Sequence, residues 1–335
     1  MIKRKKFPAS YWIPGCLIVA LITPEVILRL AFGLGNPVLL QADPDTGYRF
    51  RPNQDVLRFG KKAQYNQYSQ RSEPIKVNKP QGTLRILMIG DSVLNGGSHI
   101  DQMQTISELF EARLGTSRHF TEVLNASAGS WGIGNELGYL GKFGTFESDA
   151  VILELSPHDL TQPTSTSERV GHDPNYPDQA PLLAIQEAWT RYTWPALAPI
   201  FNLSSGSTEV PPPSALAPEQ QLKQNMQQLK AIATLVQAKK IPLFILFIPE
   251  LDNLVPTPNP PKYKPWFFEL CKDLQVPLID VHADWSILPR ATVETYFRDN
   301  FHLTVLGNQA AVNLLFEKLC STGKFPACSS SLKKE

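Results

Sequence analysis

The fold follows from one stretch of the chain, Arg85-Ile86-Leu87-Met88-Ile89-Gly90-Asp91-Ser92. A short apolar run that ends at a glycine predicts a buried β-strand. Comparable runs occur further along the chain, at 122–124, 151–155, 243–248 and 276–280. They alternate with helical patterns, which predicts an α/β domain with a parallel sheet between two layers of helices.

Three helices are indicated by capping residues and by apolar spacing. Thr105 and Glu108 form a capping-box pattern that begins one helix, and Gly115 is expected to end it. A second helix is predicted over 221–239, where apolar residues recur every three or four positions, which is typical of a face that packs on a core. A third is predicted over 304–320.

Changes in composition divide the chain into segments. We expect a basic tip and membrane anchor over 1–36, a strap or linker over 37–80, the α/β domain over 81–322 and a C-terminal tail over 323–335. The domain contains an insertion rich in proline and serine, 161–217, which is long enough to be a lid, a binding element or a disordered loop.

The balance of charges excludes a dedicated nucleic-acid binder. Lysine and arginine number 32 against 31 for aspartate and glutamate, a net charge of +1. The dense basic run, 3–6, precedes a mostly apolar stretch, 11–32, of about the length that a spanning helix needs. Glu25 and Arg29 interrupt this stretch, but on a helix they lie four residues apart and can pair.

The positive-inside rule then predicts a single-pass membrane protein with its N-terminus in the cytoplasm. The rest of the chain would be extracytoplasmic, and periplasmic if the source is bacterial. A cleaved signal peptide is the alternative, although no small-residue cleavage site follows the apolar stretch. In an oxidising compartment Cys320 and Cys328 are candidates for a disulfide, with Cys271 free or competing for one of them.

Polar residues follow several of the predicted strands at the point where each strand ends. Ser92 stands at the carboxyl end of the first strand, where open α/β sheets bind ligands and where backbone amides are close to a nucleophile. Asp299 and His302 supply the acid and base that such a serine needs, because two intervening residues let the carboxylate fix one ring nitrogen. Gly129 follows the second strand, and His158 follows the third.

Taken together, these blocks resemble the SGNH, or GDSL-type, hydrolase superfamily. The matching blocks occur in the family's order: Gly90-Asp91-Ser92, the glycine block at Gly129, Ser156-Pro157-His158-Asp159 and Asp299-x-x-His302. The resemblance implies a flavodoxin-like three-layer α/β/α sandwich. Residues 65–73 loosely match the N-x-x-G-x-R segment of membrane-anchored bacterial relatives, some of which act on polysaccharide acetyl groups. This match implies a role on an extracytoplasmic glycan. The alternative is that the segment is a structural strap in which Arg71 makes an internal ion pair.

The resemblance also implies a role for each site residue. Ser92 attacks an ester carbonyl, His302 acts as general base and then acid, and Asp299 orients the imidazole. The backbone amides of Ser92 and Gly129 stabilise the oxyanion. His158 occupies the place where the family has an asparagine, and its ring N–H is expected to replace that oxyanion donor.

The sequence therefore predicts a serine-dependent hydrolase of carboxylic esters, with O-acetyl groups of a glycan among the candidate substrates. An O-acyltransferase with the same triad is the alternative enzyme, and a catalytically inactive glycan-binding or scaffold protein is the alternative of another class. The proposed chemistry needs no metal and no cofactor, and no nucleic-acid partner is expected. Nothing in the sequence specifies an oligomeric state.

Overall fold

The computed structural model describes residues 12–115, 120–201 and 216–328. The basic run 3–6, part of the insertion and the end of the predicted tail lie outside these residues. The main sheet has five parallel strands in the spatial order β6-β5-β7-β8-β9. Their bounds are β5 Thr83–Gly90, β6 Phe120–Ser127, β7 Ala150–Leu155, β8 Leu243–Phe247 and β9 Leu278–Asp280.

The sheet is buried on both faces, because the side chains of each strand alternate between two cores. Along β5, Leu87 and Ile89 belong to one apolar cluster, and Ile86 and Met88 belong to the other. Every residue of β5 is buried, as expected for a central parallel strand covered on both sides. The α/β fold and the parallel sheet predicted from the sequence are confirmed.

Helices cover both faces of the sheet. The cluster of Leu87 receives side chains from the helices α4 Ile133–Phe143, α7 Pro218–Ala238 and α8 Lys264–Asp273. The cluster of Ile86 receives side chains from another set: α3 Ile106–Leu114, α9 Val281–Trp285, α10 Arg290–Tyr296 and α11 Val305–Ser321. Half of the capping box predicted for α3 is present, since the Thr105 side chain accepts from Glu108 N at 3.3 Å, whereas the Glu108 carboxylate accepts from the Gln102 side chain. The helix ends at Gly115, as predicted.

Strand order explains where the functional residues meet. The chain starts at β5, moves to β6 on one side, and then crosses back to β7 on the other. This is the flavodoxin-type order, and loops that leave neighbouring strands in opposite directions open a crevice at the carboxyl ends of β5 and β7. Ser92 and His158 follow these two strands.

The segment before the domain forms two antiparallel hairpins. The first pairs β1 Leu40–Asp43 with β2 Gly47–Phe50, and the second pairs β3 Gln54–Arg58 with β4 Lys61–Tyr65. Leu40 and Tyr48 from the first hairpin are buried in the same cluster as α4. This segment is therefore packed on the domain.

The N-terminal helix α1 spans Trp12–Phe32 and contains Pro24. The pair predicted within it is present, with Arg29 Nε 2.6 Å from Glu25 Oε1. Within the described residues, however, none of the helices combines the length and the apolar character that crossing a membrane requires. The spanning helix predicted for this stretch is therefore not confirmed.

Short helices occupy much of the insertion. α5 Ala184–Glu187 continues into a π-helical stretch, Ala188–Thr193, then into α6 Trp194–Leu197 and a 3₁₀ turn, Ala198–Phe201. Cys320, near the end of α11, forms a disulfide with Cys328, and Cys271 is free and buried.

Candidate active site

Ser92 is the first residue of a single-turn helix, α2 Ser92–Asn95, that follows β5. Asp91 caps this helix, because its carboxylate accepts from Val93 N at 2.7 Å. Gly96 ends the helix with a φ of 75°, which a glycine adopts without strain. The serine is thereby held at the sheet edge with its side chain half-buried.

Asp299 and His302 lie on the tight turn between α10 and α11. The turn is closed by a hydrogen bond from Arg298 N to His302 O at 2.8 Å and by a bridge between Phe297 and Leu303. Oδ1 of Asp299 accepts from the backbone N–H groups of Phe301 and His302 at 2.9 and 2.8 Å. These bonds fix the carboxylate relative to the histidine that follows it.

The structure brings the three predicted residues together. His302 Nε2 lies 3.0 Å from Ser92 Oγ, and His302 Nδ1 lies 2.9 Å from both Asp299 carboxylate oxygens. Partial burial opposes ionisation of Asp299, but hydrogen bonds from His302 and Phe301 outweigh it and hold the pKa of Asp299 well below its usual range. The ionised carboxylate selects the tautomer whose free Nε2 faces the serine hydroxyl.

Gly129 lies beside the serine, as predicted. A Cβ placed on Gly129 would be 4.0 Å from the Ser92 Cβ. Within the described residues, the backbone N–H groups of Ser92 and Gly129 have no hydrogen-bond partner. The Tyr48 hydroxyl holds this loop by donating to the Gly129 carbonyl, and Ser130 in the same loop has a φ of 59°. Two free amides beside the nucleophile are suited to a developing oxyanion.

His158 is not placed as an oxyanion donor would be. Its Nε2 lies 3.0 Å from Asp91 Oδ2, and its Nδ1 lies 3.2 Å from Glu250 Oε1. Both ring nitrogens are thus engaged by carboxylates, and neither N–H is left for a substrate oxygen. The geometry therefore does not support the donor role predicted for His158, because a histidine surrounded by acids forms ion pairs instead.

The acids around His158 keep its ring charged. Burial alone would lower the pKa of His158, but Asp159, Asp91 and Glu250 raise it to about 12. His158 in turn lowers the pKa of Asp91, against the effect of complete burial. Asp91, His158 and Asp159 also present ligand atoms within 4.8 Å of one another, a grouping that is able to hold a metal ion. The imidazolium supplies one positive charge among these carboxylates.

Two further buried acids lie near Asp91, His158 and Asp159, and the sequence motifs do not include them. Glu136 on α4 and Glu154 on β7 are fully buried. Burial is the main cause that raises the pKa of each well above its usual value, and neighbouring acids, Asp159 and Asp91 among them, add to it. Both therefore hold their protons to a higher pH than an exposed glutamate does. The sequence signal for Glu154 is an acid in the middle of an apolar strand.

Arg71 supports the loop that follows the nucleophile helix. Its fully buried guanidinium donates to the backbone carbonyls of Asn95, Gly97 and Ile100, with 2.6 Å to each of the last two. Arg71 does not form the internal ion pair considered above. Its hydrogen-bond partners are backbone carbonyl oxygens and the side chain of Gln102. Burial is the main reason that the pKa of Arg71 is lowered.

The family comparison agrees with this geometry. Residues 88–310 match the model of the GDSL-like Lipase/Acylhydrolase family, a range that contains the triad, Gly129 and His158. No curated protein matches the chain.

Several solved structures are similar to this chain at low sequence identity. TesA is 15% identical, with 70% of this chain and 98% of that chain covered and a TM-score of 0.42. The acetyl xylan esterase AlAXEase is 13% identical, with 70% and 99% covered and a TM-score of 0.44. A lipase/acylhydrolase from Enterococcus faecalis is 12% identical, with 70% and 95% covered and a TM-score of 0.42.

Proposed function

Since the chain belongs to the GDSL-like lipase/acylhydrolase family and is an SGNH-type ester hydrolase, we propose that Ser92, His302 and Asp299 cleave a carboxylic ester. The observation that carries the assignment is the continuous hydrogen-bonded chain from Ser92 Oγ through the imidazole to the Asp299 carboxylate, with distances of 3.0 and 2.9 Å. A nucleophile, a base and a group that orients the base are what acyl transfer through a serine requires.

The reaction proceeds in two halves. Ser92 Oγ attacks the ester carbonyl carbon while His302 Nε2 takes the hydroxyl proton. Collapse of the tetrahedral intermediate breaks the ester C–O bond, and the imidazolium returns that proton to the leaving alcohol. Water then attacks the acyl-serine, with His302 again as base, and the carboxylic acid is released. Asp299 stays ionised throughout and stabilises the imidazolium.

The N–H groups of Ser92 and Gly129 stabilise the oxyanion in both halves. With His158 bound to Asp91 and Glu250, the site relies on these two backbone donors. The His158 imidazolium holds the Asp91 cap, and its positive charge offsets the carboxylate beside the nucleophile. His158 is thus a positioning residue in this mechanism.

The openness of the site suits an ester carried on a bulky molecule. The Asp299 side chain is 43% exposed and that of His302 is 30% exposed, so the triad lies at the surface. An O-acetyl group on an extracytoplasmic glycan is the substrate we propose. Exposure to water favours hydrolysis over acyl transfer to a sugar, and the assembled triad argues against an inactive binding protein. We place this activity outside the cytoplasm, on a membrane-attached chain, on the basis of the basic run and apolar stretch at the N-terminus.

The test uses the full chain with p-nitrophenyl acetate and with an acetylated polysaccharide. Ser92→Ala is expected to lower kcat by at least about 10³-fold, because the nucleophile is lost. Ser98→Ala is the matched control, since Ser98 is also half-buried a few residues along the chain from Ser92 and, within the described residues, forms no hydrogen bond with a member of the triad. Equal turnover by the wild type and Ser92→Ala would refute the proposed nucleophile. Release from the simple ester but not from the polysaccharide would refute only the glycan substrate.

A further inference from the structure

Exposed apolar side chains are concentrated in two short segments of the described chain. One is the second half of α1, residues 22–32, and the other is the helical part of the insertion, residues 182–201. Of the twenty large apolar side chains that are exposed among the described residues, ten lie here: Ile22, Val26, Ile27, Leu30, Phe32, Leu182, Leu183, Trp189, Tyr192 and Ile200. We call these two segments together the apolar surface. Concentrations of this kind mark an interaction site.

The two segments are held together by the charged residues of α1. Arg29 donates to the Leu182 carbonyl at 2.7 Å, and Glu25 accepts from the backbone N–H groups of Ala184 and Ile185 at 2.8 and 3.0 Å. The N-terminal amides of α5 are thus capped by an acid from α1. The apolar surface is therefore one structural unit.

Aromatic contacts join the same two segments a second time. The ring of Phe59, in the turn of the second hairpin, lies 6.4 Å from that of Phe32 and 5.8 Å from that of Tyr192. Beneath them Arg58 and Glu187 form a buried ion pair at 2.5 Å. The insertion is thus fixed to the hairpin as well as to α1.

The exposure of α1 indicates what covers it. From 22 to 32, only Glu25 and Leu28 are half-buried, and the other residues are exposed. The charged residues of this stretch are satisfied by the insertion, so the rest of the helix presents apolar side chains on several sides. A second protein copy covers one face of a helix, whereas a helix that is apolar on most sides fits a fluid apolar phase.

The composition of the apolar surface points to the boundary between headgroups and acyl chains. Trp189 is 51% exposed and Tyr192 is 42% exposed, and these residue types prefer membrane interfaces. The four basic residues at 3–6 precede α1 in sequence and favour anionic headgroups. We propose that the apolar surface sits in the interface of an anionic lipid bilayer, with α1 and residues 182–201 both in contact with lipid.

This inference deepens the membrane attachment proposed above and is independent of the ester chemistry. It gives the insertion a role, since residues 182–201 would fix the orientation of the domain on the bilayer. An attachment through the N-terminus alone would leave the domain free to rotate.

The test measures quenching of tryptophan fluorescence by lipids with brominated acyl chains. The full chain is bound to vesicles of phosphatidylglycerol and brominated phosphatidylcholine. The emission of a given tryptophan is obtained by subtracting the emission of the variant in which that tryptophan is replaced by Phe from the emission of the wild type. The emission of Trp189, obtained with the Trp189→Phe variant, is expected to be quenched on the brominated vesicles. Trp266 is the matched control: it is 61% exposed, lies on α8 beside Leu222 and Met226, and is expected to keep its emission.

Each outcome decides the proposal. Quenching of Trp189 no stronger than that of Trp266 overturns it, as does concentration-dependent self-association that shields Trp189 without lipid. Leu182→Asp is expected to weaken the quenching of Trp189, whereas Ile287→Asp, at 84% exposure elsewhere, is expected to leave it unchanged. Hydrolysis of p-nitrophenyl acetate by the same variants is expected to be unchanged. A failure of the lipid proposal is thus distinguished from a failure of the active-site proposal.

Discussion

Glu136→Gln is expected to make the protein less sensitive to alkaline pH. Glu136 is fully buried on α4, and neither carboxylate oxygen has a hydrogen-bond partner within the described residues. Burial, reinforced by Asp159, Glu154 and Asp91, raises its pKa well above 4.5. The folded protein therefore holds this proton to a higher pH than the unfolded chain does.

The size of the effect follows from this one proton. A group whose pKa is raised on folding contributes stability that is lost as the pH rises from its unfolded to its folded value. Each retained proton lowers the free energy of unfolding by up to about 1.4 kcal/mol per pH unit within that window. The pH range over which Glu136 loses its stabilisation begins at about pH 4.5 and extends well above that value. Between pH 6 and 8 the loss from this one proton is therefore at most about 3 kcal/mol, which is two pH units at the full rate.

Neighbouring groups act in the same direction. Glu154, with a pKa raised chiefly by burial, loses its stabilisation over a similar window. His158, raised to about 12, loses its contribution as the pH rises from 6.5 towards 12. The wild type is thus expected to become steadily less stable above neutral pH, and Glu136→Gln removes one proton from this dependence.

Urea unfolding at pH 6, 7 and 8 measures the effect. The variant is expected to be within about 1 kcal/mol of wild type at pH 6 and clearly more stable at pH 8, because the amide needs no proton to stay neutral. Glu219→Gln is the control, since Glu219 is exposed and its pKa is lowered. Parallel pH dependences for wild type and Glu136→Gln would falsify the inference that Glu136 is protonated in the folded state.

The remaining predictions concern packing and catalysis. Gly138→Ala is expected to destabilise the protein by about 3 kcal/mol or more in thermal unfolding, since its Cβ would lie 2.0 Å from the Asp45 carbonyl oxygen; Gly141→Ala on the same helix meets no atom within 4 Å and is expected to be neutral or stabilising. Arg71→Met is expected to cost about 3 kcal/mol by chemical denaturation, because it leaves buried loop carbonyls unsatisfied, and Arg71→Lys is expected to recover only part of this. Asp299→Asn is expected to lower kcat by about 10³ to 10⁴-fold in the ester assay with little effect on KM, and a change in KM alone would contradict its role at His302.

The main sheet could be predicted from the sequence because burial on both faces leaves a direct signal. Central parallel strands are continuous apolar runs, and each of the five predicted runs overlaps an observed strand, for example 151–155 and Ala150–Leu155. The hairpins between 40 and 65 gave no such signal. Their strands are four or five residues long, and much of their burial comes from contacts with distant parts of the chain, as Tyr48 has with Gly129. Contacts of that kind cannot be seen in a local pattern.

The position of the triad could be predicted for the same reason, but the role of His158 could not. Parallel strands bring their carboxyl ends to one edge, so a serine after β5 and an acid–histidine pair on a nearby turn are expected to meet. What a histidine does at that edge depends on the charges that the fold brings to it. Glu250 follows β8, ninety-two residues after His158 in the chain, yet lies 3.2 Å from its ring. Asp91 engages the other nitrogen, and a sequence motif records neither contact. The two carboxylates bind the imidazolium more strongly than a transient oxyanion does, so the ring stays paired with them. His158 therefore positions Asp91, which caps the helix that begins at Ser92, and the backbone amides stabilise the transition state.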